Sequence, residues 1–176
     1  MPQSSLRLIR VRQKPGNKTR GWLLAGPLAI PVAVGRSGIR ANKREGDGGT
    51  PRGRFRLVRL WWRADRWPRP RTLLPALRIH PLDGWCESPA DRHYNRPIRL
   101  PNESTADHLT RADRLYDYIV ELDHNTRPRI TGRGSAVFVH IARDNFGPTA
   151  GCVALDFGRM QKLLTRLGPK TRIDIR

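Results

Sequence analysis

The chain has 176 residues, 38% of them apolar, which by size is one domain with a real core. It contains no run of 18 or more apolar residues, so hydropathy excludes a membrane-spanning helix. Against 15 Asp and Glu stand 34 Lys and Arg, and the net charge of +19 will attract polyanions in a strongly salt-dependent way.

From the N-terminus, MPQSSLRLIRVRQKPGNK holds no apolar stretch of signal-peptide length, which leaves any export route unexplained. Leu6 to Val11 alternates apolar residues with Arg and reads as a half-exposed strand. Trp22 to Ala25 and Leu28 to Val34, split by Gly26-Pro27, read as a hairpin. Residues 35 to 53 are too rich in Gly for an element interior and read as a long loop, a lid or a substrate wall. Phe55, Leu57 and Leu60 resume a strand. Trp61 to Pro75 mixes Trp, Arg and Pro, and its aromatics read better as the edge of a core than as a ligand platform.

Thr105 to Tyr116 reads as a short helix with Leu109, Ala112 and Tyr116 on one side. Tyr118 to Leu122 and Ala136 to Ile141 read as strands. In the second, Val137, Val139 and Ile141 share one face and Phe138 and His140 the other, so both faces are apolar and the strand is central. Phe157 to Leu167 is the clearest helix. Met160, Leu163, Leu164 and Leu167 fall at i, i+3, i+4 and i+7, Asp156 is the N-cap, and Gly168-Pro169 is the stop. Thr171 to Ile175 closes the chain as a strand. Mostly strands with one or two short helices predict a mainly β fold, a single β-sandwich or barrel-like domain over residues 1–176.

The stretch from Val137 to Leu155, VFVHIARDNFGPTAGCVAL, carries the chemistry. His140 ends an apolar run, and Cys152 follows a Gly at the end of the next loop. A free thiol is mostly protonated near neutral pH, so a nucleophilic Cys needs a base beside it, and one loop brings these two together. Gly151 lets the backbone turn sharply, and the amides of Gly151 and Cys152 can face an oxyanion. Asp144, Asp156 or a backbone carbonyl would orient His140. Arg143 is a candidate for a substrate carboxylate, since a guanidinium binds one through two donors.

The other cysteine, Cys86, lacks such company, and two Cys build neither a disulfide framework nor a metal cluster. The five His show no metal-ligand spacing, so no metal is expected.

Thr149-Ala150-Gly151-Cys152 resembles the nucleophile motif of the YkuD-type L,D-transpeptidases, the cysteine enzymes of peptidoglycan, in which a His usually stands where Ala150 is. Gly35-Arg36-Ser37-Gly38-Ile39, the stretch from Lys43 to Phe55, Asp83-Gly84-Trp85-Cys86 and Tyr94-Asn95-Arg96 resemble further motifs of the same family, in the branch where Ala precedes Gly-Cys. The resemblance covers roughly residues 20 to 176. It implies a peptidoglycan L,D-transpeptidase with Cys152 as nucleophile, His140 as base and Gly151 in the oxyanion turn. Trp85, Tyr94, Asn95 and Arg96 would then line the groove for a stem peptide or brace its wall. It also implies peptidoglycan stem peptides as partners, no cofactor, and a periplasmic or cell-wall location.

Two rivals remain. One is an L,D-carboxypeptidase or amidase-type hydrolase on the same fold, which uses the same acyl-enzyme. The other is a basic nucleic-acid-binding module with a structural Cys, although no helix-turn-helix, zinc-finger or RNA-binding signature accompanies the charge.

Overall fold

Residues that alternate between apolar and charged give this chain strands rather than helices as its main elements. The computed structural model describes residues 5–101 and 105–176; the ends of the expected 1–176 unit at residues 1–4, and residues 102–104, lie outside the described residues. Strand β1 (Leu8–Lys14) pairs antiparallel with β2 (Asn17–Ala25), which turns at Gly26-Pro27 into β3 (Leu28–Ala33). The long β6 (Gly53–Trp62) is the hub of the sheet. It pairs antiparallel with β14 (Arg172–Ile175) through its first half and with β11 (Tyr118–Leu122) through its second. Short β7 (Ala76–Arg78) runs parallel beside its end.

The remaining partners close the sheet on itself. β11 pairs with β12 (Phe138–Ile141), which runs parallel to β13 (Val153–Leu155), and β13 meets β3 at Ala154 and Ala33. β1 runs parallel to β14. The order β11-β12-β13-β3-β2-β1-β14-β6 returns to β11, a barrel with β7 outside it, so the fold is mainly β as the strand content of the sequence implies.

Inward residues such as Val11, Leu23, Val32, Leu60, Val139 and Ile173 fill the barrel core. The one helix among the described residues, α1 (Phe157–Leu164), adds Met160, Leu163 and Leu164, all fully buried. Each such side chain contributes about 1.5–3 kcal/mol by leaving water. Asp156 caps the helix by accepting the Arg159 amide at 2.9 Å, and ties the Arg159 guanidinium at 2.8 Å.

A second, smaller cluster forms on the opposite face of β11 and β12, around Trp61, Trp85, Leu109, Tyr116, Ile119 and Phe138. A three-stranded sheet covers it: β8 (Asp83–Cys86) in the middle, β9 (Pro97–Arg99) on one side and β10 (Ala106–His108) on the other. Here the expected helix over Thr105 to Tyr116 is overturned. Residues 106–108 are strand β10, paired with Cys86, Trp85 and Gly84, and turns follow. Leu109 and Tyr116 are buried but Ala112, the third member of the expected stripe, is exposed: the burial comes from docking on β8, a long-range pairing that outweighs a weak local period.

The Gly-rich stretch also differs from a lid. It contains two short paired strands, β4 (Ile39–Arg40) and β5 (Thr50–Pro51), and it packs beneath the turn that carries Cys152. The Arg36 amide donates to the Thr149 carbonyl at 3.0 Å, and the Thr149 amide to the Val34 carbonyl at 3.0 Å.

Candidate active site

Alternation along β12 lays out the site. Val139 and Ile141 point into the barrel, so Phe138 and His140 face the second cluster, where the Tyr116 ring meets His140 edge-on at 5.4 Å. Because β13 runs parallel to β12 with Val153 opposite Val139, Cys152 arrives beside the start of β12. His140 and Cys152 line one cavity of about 260 Å³. Glu87, Asp107, Arg111, Tyr116 and Arg143 stand around them.

The thiol is well held. Cys152 Sγ donates to the Ala136 carbonyl at 3.2 Å and accepts the Phe138 amide at 3.4 Å. Burial pushes it up to about 12; the Phe138 amide opposes this, and the charges of Asp107 and Glu87 reinforce it. His140 is buried too, and burial holds it down to about 4, with Arg111 and Arg143 acting the same way. Its Nδ1 lies 2.8 Å from the Ile141 carbonyl. A carbonyl only accepts, so Nδ1 carries the proton and Nε2 keeps its lone pair. The resting pair is therefore a neutral thiol and a neutral imidazole, not an ion pair.

Neither carboxylate weighed for orienting His140 takes that place. Asp156 caps α1, and Asp144 is exposed with no hydrogen bond to the ring. The orienting group is the backbone carbonyl of Ile141.

Gly151 plays a different part from the one its position suggests. Its φ is +150°, and a Cβ there would stand 2.9 Å from the Gly49 carbonyl oxygen, so the Gly-rich stretch below leaves room only for hydrogen. Its amide donates to Thr149 Oγ1 at 3.1 Å, and Gly151 is absent from the cavity wall, whereas Ala150 and Cys152 are in it. The Thr149 hydroxyl in turn donates to the Cys152 carbonyl at 2.7 Å, which locks the turn.

Of the residues weighed for the substrate groove, only Arg143 lines the cavity. Trp85, Tyr94 and Asn95 are buried and form a brace behind it, and Arg96 is exposed away from it. Asn95 is the centre of that brace. Its Oδ1 accepts Trp85 Nε1 at 3.0 Å and the Ala136 amide at 3.2 Å. Its Nδ2 donates to the His124 and Asn125 carbonyls at 3.1 and 2.9 Å. Ala136 has a left-handed backbone, φ +51°, uncommon for a residue with a side chain. Asn95 holds that conformation, which aims the Ala136 carbonyl at the thiol. Tyr94 donates to Glu45 and accepts the Gly134 amide at 3.0 Å.

Four wall residues carry no motif signature. Tyr116 donates its hydroxyl to Asp107. Arg111 lies over the Tyr116 ring at 5.1 Å and forks onto Asp113 at 2.9 and 2.7 Å. Burial raises Asp107, and it raises Glu87 to about 7, with the charges of Asp107 and Glu45 adding to the effect on Glu87. Only Asp107 among them lies on a strand, β10, and no local pattern in the sequence marks the four as one wall.

Residues 13–175 match the YkuD family, described as the L,D-transpeptidase catalytic domain. The chain belongs to the YkuD family. No curated protein and no solved structure gives a significant match. In this YkuD domain, with Ala150 before Gly151, the turn at Cys152 is held by the Thr149 hydroxyl together with backbone contacts to the Gly-rich stretch.

Proposed function

We propose that the chain is a peptidoglycan L,D-transpeptidase in which Cys152 is the nucleophile and His140 the general base. What carries this reading is the cavity shared by the two side chains in a YkuD domain, with His140 Nε2 left free by the Ile141 contact. The substrate is a stem tetrapeptide, and Arg143 meets one of its carboxylates. As substrate binds, the Sγ–H proton leaves the Ala136 carbonyl for His140 Nε2, and sulfur attacks the carbonyl carbon of the third residue. The Cys152 amide stabilises the oxyanion, since the Gly151 amide is already taken by Thr149. His140 then protonates the departing nitrogen, the C–N bond breaks, and D-Ala leaves behind a thioester. An amine of a second stem attacks it, gives its proton to His140, and expels Cys152 as the 3→3 cross-link forms.

With the thiol held high and the imidazole low, proton transfer and attack are coupled. The reaction needs no cofactor. Its place is the periplasm or cell wall, where stem peptides are found, and residues 1–176 act as one catalytic domain.

The test is intact-mass analysis after incubation with a disaccharide tetrapeptide, beside the Cys152→Ala variant. The expected product is a dimer lighter than two substrates by one D-Ala, absent in the variant. Tripeptide alone would make the protein a hydrolase on the same fold. An unchanged substrate in both samples, with the fold intact, would sink the acyl-enzyme reading.

A further inference from the structure

A second cleft lies between the barrel and the three-stranded sheet, with a volume of about 700 Å³, within the usual range of ligand clefts. Its walls are two outermost strands: all of β7 (Ala76–Arg78) on the barrel side and all of β9 (Pro97–Arg99) on the other. Trp61 and Trp62 also line it. None of its lining residues lines the cavity of Cys152. Asp83 in this cleft and Glu87 in the cavity are four residues apart along and just past β8, so the two sites are separated by roughly 13 Å of extended chain.

The edge of β7 is open in a definite sense. The Leu60 amide donates to the Pro75 carbonyl at 2.8 Å and the Ile79 amide to the Trp62 carbonyl at 2.8 Å. Residues 75, 77 and 79 therefore turn their backbone groups towards β6, and by the two-residue period Ala76 and Arg78 turn theirs away from it. Among the described residues β7 has no neighbouring strand on that side. An open edge is a template for another strand. The edge of β9 is blunted instead, since Pro97 has no N–H to offer.

Charge and apolar surface say what strand would fit. Leu77 is an apolar side chain left 40% exposed beside Arg78. Arg69 and Arg78 line the cleft, and among the described residues neither has an ion-pair or hydrogen-bond partner for its guanidinium. The one carboxylate in the wall, Asp83, is already taken by Arg99 at 2.9 Å and by the His80 amide at 2.7 Å. The cleft thus offers backbone donors and acceptors, an apolar floor and unpaired cations.

We propose that this cleft binds an extended acidic peptide, which adds to the edge of β7 by pairing with the backbone of Ala76 and Arg78 and sets its carboxylates on Arg69 and Arg78. The peptide alternates acidic and apolar residues, because successive side chains of an added strand point to opposite faces. A three-residue edge is about 10 Å long, so the recognised segment is about three to five residues. The binding does not depend on the acyl-transfer reading, because it uses neither Cys152 nor His140.

The probe is a fluorescein-labelled, end-blocked Glu-Val-Glu-Val-Glu peptide, followed by anisotropy with the full chain. Saturable binding is expected, weakened at least about tenfold in Arg69→Ala/Arg78→Ala and by a similar factor when the amide that faces β7 is N-methylated. To find that amide, each residue is methylated in turn, and the loss should alternate along the peptide. Both substituted arginines are exposed, so the variant is expected to keep the wild-type melting temperature, and this is checked first. Three results would overturn the proposal: no saturable binding, equal binding by every N-methylated peptide, or complete competition by a short oligothymidylate. The last two would make the cleft a patch for polyanions in general, with no strand pairing.

Discussion

The two faces of strand β12 have opposite characters. On one, Val137, Val139 and Ile141 join the barrel core, where nearly every neighbour is aliphatic. On the other, Phe138 and His140 share a smaller cluster with Tyr116 and Cys152, and carboxylates and guanidiniums close round it. The first face stabilises the fold. The second holds a neutral imidazole and a neutral thiol away from water, which adds little stability and suits reactivity. One strand thus fixes His140, the proposed base, with the rigidity of the core behind it.

The sharpest way to break this contrast is Cys152→Ala. Turnover should fall at least about 10³-fold, because the acyl-enzyme cannot form. Stability should fall by about 1–3 kcal/mol, since the buried Phe138 amide and Ala136 carbonyl lose the thiol as their partner. Denaturant midpoints beside product assays would show both. A Cys152→Ala protein that still cross-links ends the proposed mechanism, and one that unfolds makes Cys152 a core residue.

The opposite result is expected on the barrel face. Met160 is fully buried under α1, and Met160→Ala should cost about 2–5 kcal/mol. At temperatures where the variant is still folded, kcat should stay near the wild-type value. A large loss of kcat with little loss of stability would show that the two faces are coupled.

A pH series sharpens the comparison from the other side. Unfolded His140 takes a proton near 6.5, but in the fold burial delays this to about 4. Stability is therefore lost as pH falls from about 6.5, and the loss from this group reaches about 3 kcal/mol near pH 4. Glu87 acts in the opposite sense, because burial raises it from 4.5 to about 7 and its contribution is lost as pH rises through that range. The contrast to measure is wild type against His140→Gln, which removes only the first term. If the two proteins lose stability in parallel between pH 7 and 4.5, the imidazole is not buried neutral.

How far the sequence discloses this follows the range of the interactions. The helix α1 is legible because its stripe and N-cap are local, although it ends at Leu164 with Thr165 as its C-cap, three residues short of the expected Leu167 and of the Gly168-Pro169 stop. The alternation of β12 is legible too, and with it the side from which His140 faces Cys152. What is not legible is carried by backbone or by distant pairs. The Ile141 carbonyl that orients His140 has no side-chain signature. Asn95 reaches Ala136 across 41 residues, and nothing local marks Ala136 as left-handed. The helical period of 105–116 misleads because the partner of β10, β8, lies some twenty residues away, and a pairing at that range leaves only a faint trace in the segment itself.

Asp156 offers the smallest effect and a direct test of that lesson. It stands four residues after Cys152 in sequence, a natural place for a carboxylate that orients His140. In the fold it accepts the Arg159 amide at 2.9 Å and serves α1. Asp156→Ala should then cost about 1 kcal/mol, the usual effect of losing an N-cap, and Asp156→Asn or Asp156→Ser should recover most of it. Activity and its pH profile should be unchanged in all three, because the ring is held by the Ile141 carbonyl. A fall in kcat with a shifted acidic limb, recovered by neither Asn nor Ser, would instead place the charge of Asp156 behind His140. A protein that keeps its rate while its helix frays confirms the division of labour between the two sides of β12.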